Sequence, residues 1–127
     1  EPRRGLFPGG GSTTKLPRQI AFPWAMEILL TAEPISAQKA YHYGIVNEVV
    51  PLTDLLPTAM RYAELICKNG PVAVRLAKKA IDGGFDLAID DALALEWSCY
   101  EGVLGTSDRE EALAAFAEKR PPRFSGR

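Results

Sequence analysis

The sequence has 127 residues, 46% of them hydrophobic and 24% charged, with a formal charge of −1. That balance fits one soluble globular domain or half of a larger one, and it gives no general attraction for nucleic acid or an anionic membrane. No apolar run reaches the roughly 18 residues that a membrane-spanning helix needs.

The chain opens, without an initiator Met, on Glu1 and the loop Gly5-Leu6-Phe7-Pro8-Gly9-Gly10-Gly11-Ser12. A sequence that starts inside such a loop reads as the second part of a larger protein. A Pro followed by three glycines lets the backbone take φ > 0 and approach a ligand closely. Two readings of the loop stand: a plain turn into a helix, or a ligand-facing loop whose following Ser/Thr residues cap a helix and leave its first N–H groups facing outward. A phosphate-binding P-loop does not fit, because no Gly-Lys-Ser/Thr follows and Lys15 falls too late.

A short helix is predicted over about Ser12 to Ile20, interrupted by Pro17, and a second over Trp24 to Leu30, with Pro23 suiting its first turn and Ala25, Ile28, Leu29 and Ala32 on its apolar face. Ser36 caps a third, which Gly44 ends. Ile45-Val46-Asn47-Glu48-Val49-Val50, β-branched and closed by Pro51, is the one predicted strand. Helices then follow from a Thr53 cap to about Lys68, from Val72 to about Asp82, and from about Leu87 to Leu104. Asn69-Gly70-Pro71, Gly83-Gly84 and Gly105 are the breaks. Leu93, Trp97, Tyr100 and Leu104 form a stripe wider than one small neighbour covers, which points to subunit packing. Ser107-Asp108-Arg109-Glu110 reads as a capping box for a last helix through Ala112, Ala115 and Phe116. Cys67 and Cys99, unpaired in apolar helical patterns, read as reduced, buried thiols of a cytoplasmic protein. His42 stands alone and suggests no metal site. Trp97 and Tyr100 read as packing residues, and Arg75, Lys78 and Lys79 as the wet face of their helix.

The order of these motifs resembles the enoyl-CoA hydratase/isomerase (crotonase) superfamily over almost the whole chain. The second half of that family has a Pro-Gly-rich loop, Leu-Pro-Arg, Leu-Thr-Gly with Ile-Ser-Ala, a Gly-Leu-Val-Asn strand, and a closing Ala-Phe-x-Glu-Lys-Arg-x-Pro-x-Phe. The counterparts here are Gly5 to Gly11, Leu16-Pro17-Arg18, Leu30-Thr31-Ala32 with Ile35-Ser36-Ala37, Gly44-Ile45-Val46-Asn47, and Ala115-Phe116-Ala117-Glu118-Lys119-Arg120-Pro121-Pro122-Arg123-Phe124. The resemblance implies an α/β fold. Residues 1–51 would be the end of a ββα spiral carrying the active-site loop, and residues 52–127 a helical region that packs into trimers or dimers of trimers. This chain itself would be mainly α.

The same resemblance implies an acyl-CoA substrate, with coenzyme A entering only as part of it, and no metal or redox cofactor. Hydration of a 2-enoyl thioester needs an enolate-like intermediate stabilised at the thioester oxygen, plus carboxylates that orient water and move a proton. Glu1 falls where the family's second catalytic glutamate sits. It would act as general acid/base, with the Gly9 N–H steadying it or the water; the alternative is a solvated terminal Glu. Arg3 and Arg4, where many relatives are apolar, would lower its pKa if either approached. Phe116 and Lys119 match positions where the last helix of one subunit reaches a neighbour's coenzyme A, the ring near adenine and the cation near phosphate; the alternative is a core Phe and a solvated Lys. Arg120 and Arg123 read as solvated tail charges. Met26, Leu29 and Leu30 line an acyl pocket or pack an ordinary core.

The oxyanion donors, the first hydratase glutamate and most of the coenzyme A pocket would lie upstream of Glu1. The chain therefore reads as the C-terminal part of an enoyl-CoA hydratase, inactive by itself. Enoyl-CoA isomerisation and acyl-CoA thioester hydrolysis remain open within the family, and outside it a non-catalytic oligomerisation or coenzyme A-binding module.

Overall fold

A computed structural model describes residues 1–127. After a 3-10 turn over Pro2–Arg4, the chain forms α1 (Ser12–Gln19), α2 (Phe22–Thr31), α3 (Ala37–His42), α4 (Leu55–Cys67), α5 (Pro71–Gly84), α6 (Ile89–Leu104) and α7 (Ser107–Ala117). No helix is long and apolar enough to cross a membrane. Two compact units result, Glu1–Leu55 and Leu56–Arg127.

There is no strand, so the α/β expectation is corrected for this chain, which is all-helical. Residues 45–50 are irregular. A strand exists only by exchanging hydrogen bonds with a neighbour, and no second extended segment is present to pair with it. The Ile45 N–H instead reaches back to the Ala40 carbonyl at 2.9 Å, across Gly44 in the left-handed region at φ 77°. That closes the end of α3.

In the first unit, Ile20, Ala25 and Tyr43 are buried, with Leu16 and Ile28 against them. Trp24 of α2 stacks on Tyr43, ring centroids 4.4 Å apart. Glu27 is the one charge in α2. It accepts a hydrogen bond from the Tyr43 hydroxyl at 2.8 Å and pairs with Lys39 of α3. These bonds, above all the one from Lys39, hold the Glu27 carboxyl below its ordinary range and raise the Lys39 ammonium. Ser36 caps α3 as predicted, accepting from the Lys39 N–H at 3.1 Å.

In the second unit, α5 and α6 pack antiparallel, Gly83 facing Leu95 and Leu76 facing Gly102. Gly83 and Gly84 are the last two residues of α5, so the helix ends on them as predicted. A Cβ on Gly83 would stand 2.9 Å from the Leu95 side chain, so the small residue lets α6 approach. Cys99 is buried in this packing, whereas Cys67 is exposed, which corrects the expectation of two buried thiols. The stripe of Leu93, Trp97, Tyr100 and Leu104 stays exposed in this chain. Asn69 ends α4 by donating its side-chain amide to the Leu65 carbonyl at 3.1 Å. Thr53 is not the cap of α4. It lies in a 3-10 turn with its hydroxyl on Asp54.

The end of α2 carries a local strain. Ala32 occupies the left-handed region at φ 53°, a conformation that costs an L-residue about 1 kcal/mol and glycine almost nothing. Ala32→Gly is expected to stabilise the protein by about 0.5–1 kcal/mol, read as a higher midpoint in chemical denaturation. An unchanged or lower midpoint would show that the methyl group makes compensating contacts.

Candidate functional site

The glycine loop of the first unit is built from local bonds. The Glu1 carbonyl accepts from the Arg4 and Leu6 N–H groups at 2.8 and 3.1 Å, and its side chain makes no capping bond. Gly10 and Gly11 take φ 67° and 97°, positions where a side chain would be strained. The cap of α1 is Gly11 rather than a Ser or Thr. Ser12 instead donates its hydroxyl to the Gly9 carbonyl at 2.7 Å, tying the loop to the helix. The Gly9 N–H donates to the Phe7 carbonyl at 2.8 Å.

Two cavities flank this loop. One, of about 290 Å³, is lined by Glu1, Pro2, Pro8, Ser12, Ile28, Leu29, Ala32, Glu33 and Pro34. The other, of about 410 Å³ and mainly apolar, is lined by Pro2, Leu6, Phe7, Pro8, Thr13, Pro17, Phe22, Met26, Leu29 and Leu30. Pro2, Pro8 and Leu29 line both, so a carboxylate-bearing cavity and an apolar one share a wall. Arg3 pairs with Glu33. That second carboxylate of the Glu1 cavity is a partner the sequence reading did not include.

Phe116 and Lys119 lie together at the end of α7 in the second unit. Phe116 is 87% exposed, not a core residue of this chain. Lys119 is in the left-handed region at φ 56°. Its N–H donates to the Phe116 carbonyl at 3.2 Å, and the Arg120 N–H to the Ala115 carbonyl at 3.0 Å, the paired bonds of a Schellman turn.

Arg120 is not a solvated tail charge, whereas Arg123 is exposed and engages only through its backbone. Arg120 grips both oxygens of Glu111, at 2.6 and 2.9 Å, and also pairs with Glu118. The Arg123 N–H donates to Glu111 at 2.7 Å. Buried Asp108 accepts from the Ser125 N–H at 2.6 Å, the Ser125 hydroxyl at 3.2 Å and the Gly126 N–H at 2.9 Å. Ser107 donates its hydroxyl to the Arg127 carbonyl at 2.7 Å, so it is not the cap. Thr106 is, accepting from the Arg109 N–H at 3.3 Å. Ser107, Asp108, Glu111, Arg120, Arg123 and Ser125 surround a polar cavity of about 500 Å³. Glu1 and the loop thus share one unit, and Phe116 and Lys119 the other. His42 lies tilted against Trp24 and Tyr43.

Residues 1–127 match the family model described as enoyl-CoA hydratase/isomerase. The chain is 37% identical over its whole length to an enoyl-CoA isomerase/hydratase of Mycosarcoma maydis, covering 46% of that protein. It is 40% identical to a short-chain-enoyl-CoA hydratase of Clostridium acetobutylicum, over 91% of this chain and 44% of that one. A solved structure of an enoyl-CoA hydratase from Bacillus anthracis is 45% identical and superposes with a TM-score of 0.96, over 99% of this chain and 49% of the other. The chain spans about half the length of the curated relatives it matches.

The Arg120 guanidinium, and after it the Arg123 N–H, lower the Glu111 carboxyl from an ordinary 4.5 to about 2. A carboxyl depressed in the folded state contributes stability that is present above its unfolded pKa and lost as pH falls through the folded value. The tail clamp is therefore expected to hold down to pH 4.5 and to release as pH falls toward about 2. An NMR titration of the Glu111 carboxyl carbon checks this. A midpoint at the ordinary value would mean that the clamp does not form in solution.

Proposed function

The chain belongs to the enoyl-CoA hydratase/isomerase family, and on that footing we propose that it is the C-terminal part of an enzyme that adds water to a trans-2-enoyl-CoA. One observation carries the reading: Glu1 lines a cavity beside the glycine loop, next to an apolar cavity lined by Met26, Leu29 and Leu30. In this proposal the acyl chain occupies the apolar side, and the Glu1 carboxyl faces the reacting carbons. Water oxygen adds to C3 and a proton is delivered to C2, with charge passing through the thioester oxygen. Glu1 is the general acid/base. Such a group contributes about 10²–10⁴-fold to the rate.

Gly9 enters through its N–H, which turns from the Phe7 carbonyl to the carboxylate or its water by a peptide rotation that glycine allows. Arg3 is engaged by Glu33, so that cation is already paired. Phe116 and Lys119 are proposed to meet the nucleotide end of coenzyme A, an aromatic face and a cation on one helix end. The exposed stripe on α6 supports assembly into a trimer or hexamer through the helical region of residues 52–127. Both cysteines are free, which suits a reducing compartment, and the cytoplasm is the location proposed. The activity is that of the whole enzyme; the oxyanion donors would come from outside these residues, so the isolated chain is proposed to be inactive. Isomerisation is the second reading, favoured by the double name of the Mycosarcoma maydis relative. It needs the same enolate stabilisation.

The test is Glu1→Gln in the full-length enzyme with crotonyl-CoA as substrate. Loss of about 10²–10⁴-fold in kcat is expected, with KM little changed. Full hydratase activity in that variant would remove Glu1 from the mechanism.

A further inference from the structure

We infer that Glu111 is a positioning residue for coenzyme A, acting by clamping Arg120 and so fixing the turn that presents Lys119 beside Phe116. The inference rests on the proposal that Phe116 and Lys119 meet that ligand, and it adds what holds them in place.

The turn is costly for this sequence. Lys119 sits at φ 56°, a backbone conformation that a residue with a side chain rarely adopts and where helices ordinarily end on glycine. Such a residue persists only when its surroundings over-determine it. The surroundings here are Glu111. It takes both arms of the Arg120 guanidinium and the Arg123 N–H, groups on the residue after Lys119 and four beyond it. A planar guanidinium gripped by two oxygens has one orientation, so the chain leaving α7 is fixed in direction.

Arg120 is paired with Glu111 and Glu118, while Lys119 beside it is exposed. Phe116, 87% exposed, packs on little in this chain. A strained cation and an uncovered ring at one helix end match a ligand with a phosphate and a base. Glycine at the turn would relieve the strain and lose the cation, so the strain accompanies the charge.

The experiment compares crotonyl-CoA with crotonyl-pantetheine, which lacks the nucleotide, in the full-length enzyme. Glu111→Gln is expected to raise KM for crotonyl-CoA about fivefold, with kcat and the KM for crotonyl-pantetheine each within about twofold. Arg120→Lys, which keeps the charge and loses the fork, is expected to give the same pattern and serves if the first variant folds poorly. Lys119→Ala is expected to raise KM for crotonyl-CoA about tenfold, and adding Glu111→Gln to it should change nothing further. Independent, multiplying effects would overturn the inference, as would an equal loss with crotonyl-pantetheine. If Lys119→Ala leaves crotonyl-CoA kinetics unchanged, the nucleotide-site reading itself falls and takes this inference with it, while Glu1 chemistry stands.

Discussion

Asp108 is buried at the first turn of α7, and the last residues of the chain close around it. A carboxylate without partners at that depth would carry a large desolvation penalty. Here each oxygen accepts a backbone N–H, from Ser125 and from Gly126, and its own N–H donates to the Arg127 carbonyl. The segment after α7 has no regular structure and little apolar surface of its own, so these bonds, with Phe124 laid against Gly70, determine its path. Glu111 adds a second anchor closer to the helix, taking the Arg120 guanidinium and the Arg123 N–H.

The first unit shows the same logic on a smaller scale. Glu27 stands alone among apolar residues of α2, and α3 and its C-cap residue supply its partners, the Lys39 ammonium and the Tyr43 hydroxyl. The glycine loop is held differently. Glycine conformations set its path, and Ser12 fastens it to α1 through the Gly9 carbonyl. One segment is shaped by charge pairing and the other by backbone freedom.

Features that depend on a few adjacent residues were legible in the sequence. Ser36 caps α3, Asn69-Gly70-Pro71 separates α4 from α5, and Gly10 and Gly11 of the loop after Pro8 take left-handed backbone. Features that depend on a distant partner were not. Residues 45–50 carry β-branched composition, yet strand formation needs a neighbour. Gly83-Gly84 ends α5 as read, but that Gly83 also makes room for Leu95 of α6 was not legible. Ser107 reads as the cap of α7, but the distant Arg127 carbonyl takes its hydroxyl and Thr106 caps instead. Glu111 and Arg120 lie nine residues apart across a helix end, a spacing that no helical rule pairs. Glu27 did leave a signal, as the one charge in an apolar helix.

The two tryptophans fall one in each unit and in unlike surroundings. Trp24 is stacked on Tyr43, while Trp97 is 61% exposed with its indole N–H on Glu101 at 3.0 Å. The protein therefore carries two intrinsic fluorophores of different colour. The Trp24 emission tracks the integrity of the α2–α3 contact, and the Trp97 emission shifts to shorter wavelength when another surface covers α6. Loop-side and helix-side events can thus be followed separately in the unlabelled molecule.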